Sequence, residues 1–105
     1  MPDEQQVLIE IRERLQRTFR IRDIVLFGSR AKGTARTDSD FDVLVIADSD
    51  LPFIRRQGLA LLALGKRDYP LDLLVYTPDE ADTASAIPGS AVYWALKEGR
   101  RLGAA

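Results

Sequence analysis

Apolar residues recur at intervals of three and four near the start of the chain: Leu8, Ile11, Leu15 and Phe19, with charged residues between them. That period predicts an amphipathic first helix, with Asp3 placed to cap it. The pattern then changes. Ile24-Val25-Leu26-Phe27 is a continuous run of strand formers stopped by Gly28, too short for a helix, and reads as a buried strand. Ser29 is placed to cap a short helix starting at Arg30 and limited by Gly33, before a polar loop from Thr34 to Ser39. From Phe41 to Ala47 side chains alternate, with Phe41, Val43 and Val45 on one face and Asp42, Leu44 and Ile46 on the other. Asp40 shares the face of Asp42.

Asp50 and Pro52 read as a cap and first turn of a helix from Phe53 to Leu64, which carries Ile54, Leu61 and Leu62 and closes at Gly65. Leu71 to Tyr76 predicts a third strand holding one acid, Asp72. Thr77-Pro78-Asp79-Glu80 has the form of a capping box, and Pro88 opens a last helix through Glu98, ended by Gly99. The order α-β-α-β-α-β-α predicts an α/β (α+β) domain, a small sheet covered by helices. A helical crossover between the second and third strands favours a parallel pair, which sets their starting ends side by side and brings Asp72 near Asp40 and Asp42.

Composition narrows the chemistry. The 105 residues suit a single domain, 1–105, and 15 basic against 16 acidic groups leave no general positive field for nonspecific nucleic-acid binding. Without cysteine or histidine, disulfides, thiolate or imidazole metal ligands and Ser-His-Asp triads are closed. No apolar run approaches the roughly 20 residues of a membrane span, and the polar start does not resemble a signal peptide, so a soluble, cytoplasmic protein is expected. Carboxylates, guanidinium groups and hydroxyls remain, which suit phosphates and oxygen-binding cations.

These groups concentrate between Gly28 and Asp42. A strand ending in Gly-Ser offers backbone N–H groups, a hydroxyl and room for close approach by phosphate, and a return loop delivers two carboxylates two residues apart. Such carboxylates repel unless a cation joins them, and Mg²⁺ favours carboxylates together with substrate phosphates. Asp72 completes a set suited to two-metal phosphoryl or nucleotidyl transfer, as ligand and as acceptor of a hydroxyl proton. Asp48 and Asp50 fall towards the other end of the strand. Bland roles compete at each position: a capped turn at Gly28-Ser29, a turn at Asp40, an arginine pair at Asp42, a structural salt bridge at Asp72. Arg30, Lys32 and Arg36 could neutralise phosphate or form a solvated face, and Tyr93 and Trp94 read as core or interface aromatics rather than a base platform. A phosphate-loop ATPase fails because Thr34 and Ala35 stand where Lys and Ser or Thr are required, and no dinucleotide fingerprint occurs.

Phe-Gly28-Ser29-Arg-Ala-Lys-Gly, followed by Ser-Asp40-Phe-Asp42 and a later strand acid, resembles the DNA polymerase beta type nucleotidyltransferase superfamily, and most closely its minimal nucleotidyltransferase (MNT) branch, over about residues 5–102. The resemblance implies a mixed sheet of three to four strands and Mg²⁺-dependent transfer of AMP from ATP to a hydroxyl, with two ions when nucleotide is bound. By position, Gly28 and Ser29, with Arg30 beside them, hold phosphate; Asp40 and Asp42 bind metal, and Asp72 is the third acid. Larger members add an acceptor-binding domain, which is expected here from a partner. Many MNT proteins pair with a helical HEPN toxin, in some pairs by adenylylating a tyrosine of it, so the implied function is an adenylyltransferase antitoxin. The alternatives are a non-catalytic antitoxin that neutralises a HEPN partner by covering it, and the nucleotidyltransferase half of an antibiotic-modifying enzyme. A homo-oligomer is compatible with each; direct nucleic-acid binding and membrane association are not expected.

Overall fold

A computed structural model describes residues 3–33 and 40–102. The helices are α1 (Glu4–Leu15), α2 (Gly28–Lys32), α3 (Phe53–Leu64), α4 (Pro78–Ser85) and α5 (Ala91–Glu98); the strands are β1 (Arg20–Phe27), β2 (Phe41–Asp48), β3 (Leu71–Tyr76) and β4 (Arg100–Arg101). They form one mixed four-stranded sheet, ordered β3-β2-β1-β4. β1 is antiparallel to β2 and β4, whereas β2 and β3 are parallel, as the crossover through α3 predicts. The expected α/β architecture and mixed sheet are present, with β4 added by the chain leaving α5. The polar loop Thr34 to Ser39, including Arg36, lies outside the described residues.

Strand alternation divides the core. Ile24, Leu26, Phe41, Val43, Val45, Leu73 and Val75 pack under α1 and α3, while Val25 and Leu44 pack on the other face with Ala81 of α4 and Val92 and Ala95 of α5. Capping is local and follows the sequence at α1 and α4. Asp3 and Gln6 form a reciprocal box, and so do Thr77 and Glu80, with Pro78 in the first turn.

Several boundaries differ from expectation. β1 starts four residues earlier, at Arg20, because its charged end pairs across the ladder, where Arg22 meets Asp48 at 2.8 Å. α2 begins at Gly28 rather than Arg30, with Ser29 inside its first turn and no side-chain cap. At α3 the cap position belongs to Pro52, not Asp50, and α5 starts after Ser90, whose hydroxyl accepts from the Tyr93 N–H, instead of at Pro88. Phe19 lies beyond the end of α1 yet is buried, since the chain returns over the core before β1.

The orientation of α3 is decided by its surroundings. Ile54, Leu61 and Leu62 point outward, and its inner face carries Arg56, Ala60 and Leu64. The open edge of β3 supplies the reason: its backbone groups would otherwise lack partners. Gln57 donates to the Leu73 carbonyl at 2.8 Å and accepts from the Val75 N–H at 2.6 Å, so one amide continues the ladder. The buried Arg56 guanidinium donates to the Val75 carbonyl at 3.1 Å and grips both oxygens of Glu80, one of which also accepts from the Thr77 N–H. α3, β3 and the start of α4 are thereby joined by one polar network.

Gln57→Ala leaves two edge groups of β3 unpaired and is expected to lower unfolding free energy by about 1–3 kcal/mol, measured by urea denaturation. Unchanged stability would mean that the amide does not support the edge.

Candidate active site

The parallel ladder sets Asp42 opposite Asp72, and the antiparallel ladder sets Asp42 opposite Phe27, the residue before Gly28. Since directly paired residues share a face, Asp42 and Asp72 emerge together on the side of α4 and α5. The Phe41 N–H donates to the Pro70 carbonyl at 3.0 Å, and the Phe41 and Tyr69 rings meet edge to face, which fixes this end of the ladder.

Gly28 explains itself only in three dimensions. Its φ is +73°, and a Cβ added there would lie 2.3 Å from Oδ2 of Asp42. The glycine thus admits the aspartate carboxylate against the backbone, in addition to the phosphate access expected from sequence. α2 is held from behind: Arg100 donates to the carbonyls of Ala31, at 3.2 Å, and Arg30, at 3.4 Å, placing a cation at the helix's C-terminal end, and Lys32 pairs with Glu98 at 3.4 Å. Gly99 allows the turn from α5 to β4, because a Cβ would meet the Ala95 carbonyl and Val25 Cγ1 at 2.3 and 2.4 Å.

Burial raises the pKa of Asp42 above its ordinary value of 3.8, and repulsion from Asp72 and then Asp40 raises it further. Asp42 therefore senses both other acids, and Asp72 and Asp40 are exposed. Among the described residues no three acidic side chains are gathered closely enough to hold an ion as they stand. Asp42 and Asp72 are nonetheless close enough for a side-chain hydrogen bond between them. The donor set of hard carboxylate oxygens, one of them partly desolvated and without a cationic side chain among the causes of its shift, fits a divalent cation.

Arg30 stands differently. Its guanidinium is buried 3.9 Å from the centroid of Phe41, a ring packed in the core on the other sheet face from Asp42. Asp48 is held by Arg22 and Arg20 at the far end of β2, which removes it from this group. Sequence reasoning missed a cavity of about 210 Å³ beside Gly28, lined by Phe27, Ala31, Lys32, Ala91, Trp94 and Glu98. Trp94 is partly exposed there, with the Lys32 ammonium 5.8 Å from its ring. The i, i+3 spacing of Ala91 and Trp94 was a legible signal, but its facing residues on α2 were not.

Residues 8–100 match the nucleotidyltransferase domain family. The chain belongs to that family. Its fold is similar to a crystal structure of a toxin–antitoxin with AMP-PNP, at 28% identity and a TM-score of 0.58, over 92% of this chain and 73% of that one. It is also similar to a mutant of the MntA-HpeT toxin–antitoxin, at 26% identity and 0.55, covering 100% of this chain and 75% of that one. A second MntA-HpeT mutant, at 23% identity, 0.57, 99% and 75%, shares the fold. No curated protein matches by sequence. The MNT resemblance is accordingly upheld, and the family supports nucleotidyltransferase activity for this domain. Among the described residues no helix is long and apolar enough to cross a membrane.

Two measurements probe the site. The folded state holds the Asp42 proton more tightly than the unfolded chain, so this group's contribution to stability is full below pH 3.8 and is lost as pH rises through the elevated pKa. In EDTA, Asp42→Asn is expected to melt above wild type at neutral pH, with the gap closing towards about pH 4; a pH-independent gap would contradict the assignment. Gly28→Ala is expected to destabilise by about 1–3 kcal/mol through its positive φ and by more through the carboxylate contact. Gly33→Ala, with φ +74° and open space around the added Cβ, isolates the first effect, so equal losses in denaturant melts would exclude the second.

Proposed function

We propose that this nucleotidyltransferase domain moves AMP from ATP to a hydroxyl of a helical partner protein of the HEPN type, acting as the antitoxin of a toxin–antitoxin pair. The observation that carries the reading is the register that sets Asp42 against Gly28 on one side and opposite Asp72 on the other. It is supported by the nucleotidyltransferase family match and by the likeness to toxin–antitoxin structures, one of which contains AMP-PNP.

In this reading Gly28 and Ser29 receive the triphosphate tail through backbone N–H groups and the hydroxyl, and Asp40, Asp42 and Asp72 would hold Mg²⁺. The bound metal supplies charge neutralisation for the triphosphate and for the oxyanions that develop during transfer. The acceptor hydroxyl oxygen attacks the α-phosphorus, the bridging P–O bond to the β-phosphate breaks, and pyrophosphate leaves. Asp72, the most exposed position of the facing pair, takes the hydroxyl proton. The rigid ladder beneath Asp42 orients these groups, so most of the rate depends on positioning rather than on a covalent intermediate. A cytoplasmic setting accords with the use of ATP, and the domain acts without direct contact to nucleic acid. Arg30 contributes through the Phe41 stack, behind the phosphate site.

Incubating the chain with α-labelled ATP, Mg²⁺ and its neighbouring gene product is expected to label the partner, with Asp42→Asn or Asp72→Asn lowering the rate by about 10²-fold or more. Mg²⁺ with ATP is expected to raise the melting temperature of wild type more than that of Asp42→Asn. Absence of label, together with full neutralisation of the partner in cells by the Asp40→Asn/Asp42→Asn double variant, would instead establish a covering antitoxin without catalysis.

A further inference from the structure

The outer face of α3 carries the two most exposed large apolar side chains described, Ile54 at 82% and Leu62 at 80%, with Leu61 at 46% beside them. At 100° per residue these chains lie within about 60° of Gly58, the outermost position of the helix. A Cβ at Gly58 would meet nothing within 4 Å, so no packing inside this chain calls for glycine there. In mid-helix, glycine costs about 1 kcal/mol relative to alanine. An apolar stripe divided by an unneeded glycine suits close approach of a second backbone.

The stripe is also self-complementary. Ile54 and Leu62 stand four residues before and after Gly58, and Arg55 and Leu61 stand three before and after. An antiparallel copy related by a two-fold axis through Gly58 would set Ile54 on Leu62 of the second copy, with the Arg55 stem over its Leu61, and repeat both contacts. Opposite charges flank the helix: Asp50 precedes its N-terminus and Lys66 follows its C-terminus, both are exposed, and neither has an ion-pair partner among the described residues. Antiparallel pairing turns the acidic end of each copy's helix towards the basic end of the other, so the rim charges are complementary.

We infer that the outer face of α3 is a homodimer interface, formed by antiparallel pairing of two copies about Gly58. α3 packs on the α1 side of the sheet, and the acids emerge on the α4 and α5 side, so the pairing leaves both sites open. Helix α3 is about 18 Å long, which places the contact towards the small end of specific interfaces.

The absence of native cysteine permits a direct test. Sedimentation velocity of the whole chain over about 10–500 µM is expected to show a shift from monomer to dimer. Leu62→Glu should weaken association by about tenfold or more while leaving the circular dichroism spectrum unchanged, because this side chain touches no core. Lys66→Asp should weaken it as well, and addition of Asp50→Lys should restore it. Under mild oxidation Gly58→Cys, on the two-fold axis, should cross-link faster than the exposed control Thr83→Cys on α4. A monomer throughout, a dimer indifferent to Leu62→Glu, or equal cross-linking by the two cysteine variants would overturn the proposal. So would a chain that stays monomeric alone yet loses binding to its neighbouring gene product on Leu62→Glu, which would assign the face to that protein.

Discussion

The parallel register between β2 and β3 is the constraint on which the site depends. Side chains alternate every residue along a strand, so a slip of one position would send Asp72 to the α1 and α3 face and place Leu71 or Leu73 beside Asp42. Register is secured by apolar pairs on the buried face, Phe41 with Leu71, Val43 with Leu73 and Val45 with Val75. The acids occupy the intervening positions and are carried to one place by the hydrophobic pattern, against their own repulsion. Burial of oil on one side of the sheet thereby concentrates charge on the other.

That repulsion is kept local by the surrounding scaffold. Asp42 is pressed against a residue that can only be glycine, on a short helix strapped by Arg100 and Lys32 to the last helix and strand. The carboxylate cannot retreat far into solvent, which explains why burial leads the causes of its raised pKa. A preorganised acid of this kind spares reorganisation when a cation and a phosphate arrive, and the cost appears as reduced stability of the unliganded fold.

Helix α3 shows the reverse exchange. A cation and an amide are turned inward, where the unpaired edge of β3 needs donors and an acceptor, and aliphatic side chains are turned outward. The buried Arg56 is tolerated because Glu80 and a backbone carbonyl satisfy two of its nitrogens, and the same glutamate closes the cap of α4. Edge protection and exposure of an apolar stripe are two consequences of one helix rotation.

The sequence alone determined what local physics controls. The 3.6-residue period gave α1, the Asp3 cap and the Thr77–Glu80 capping box gave the starts of α1 and α4, and strand alternation put Asp40 and Asp42 on one face. The motif around Gly28 and Asp42 was legible because it combines a turn that needs glycine with acids in a fixed register. Tertiary structure decided the rest. The inward turn of Arg56 and Gln57 and the outward turn of Ile54, Leu61 and Leu62 carried no local signal, since an apolar stripe looks the same from sequence whichever way the helix is turned. Ser29 has the residue type of a cap, but α2 starts one residue earlier, at Gly28, whose φ of +73° and missing Cβ admit the Asp42 carboxylate. Hydrogen bonds between distant segments choose among locally equivalent patterns, and no window along the chain contains both partners.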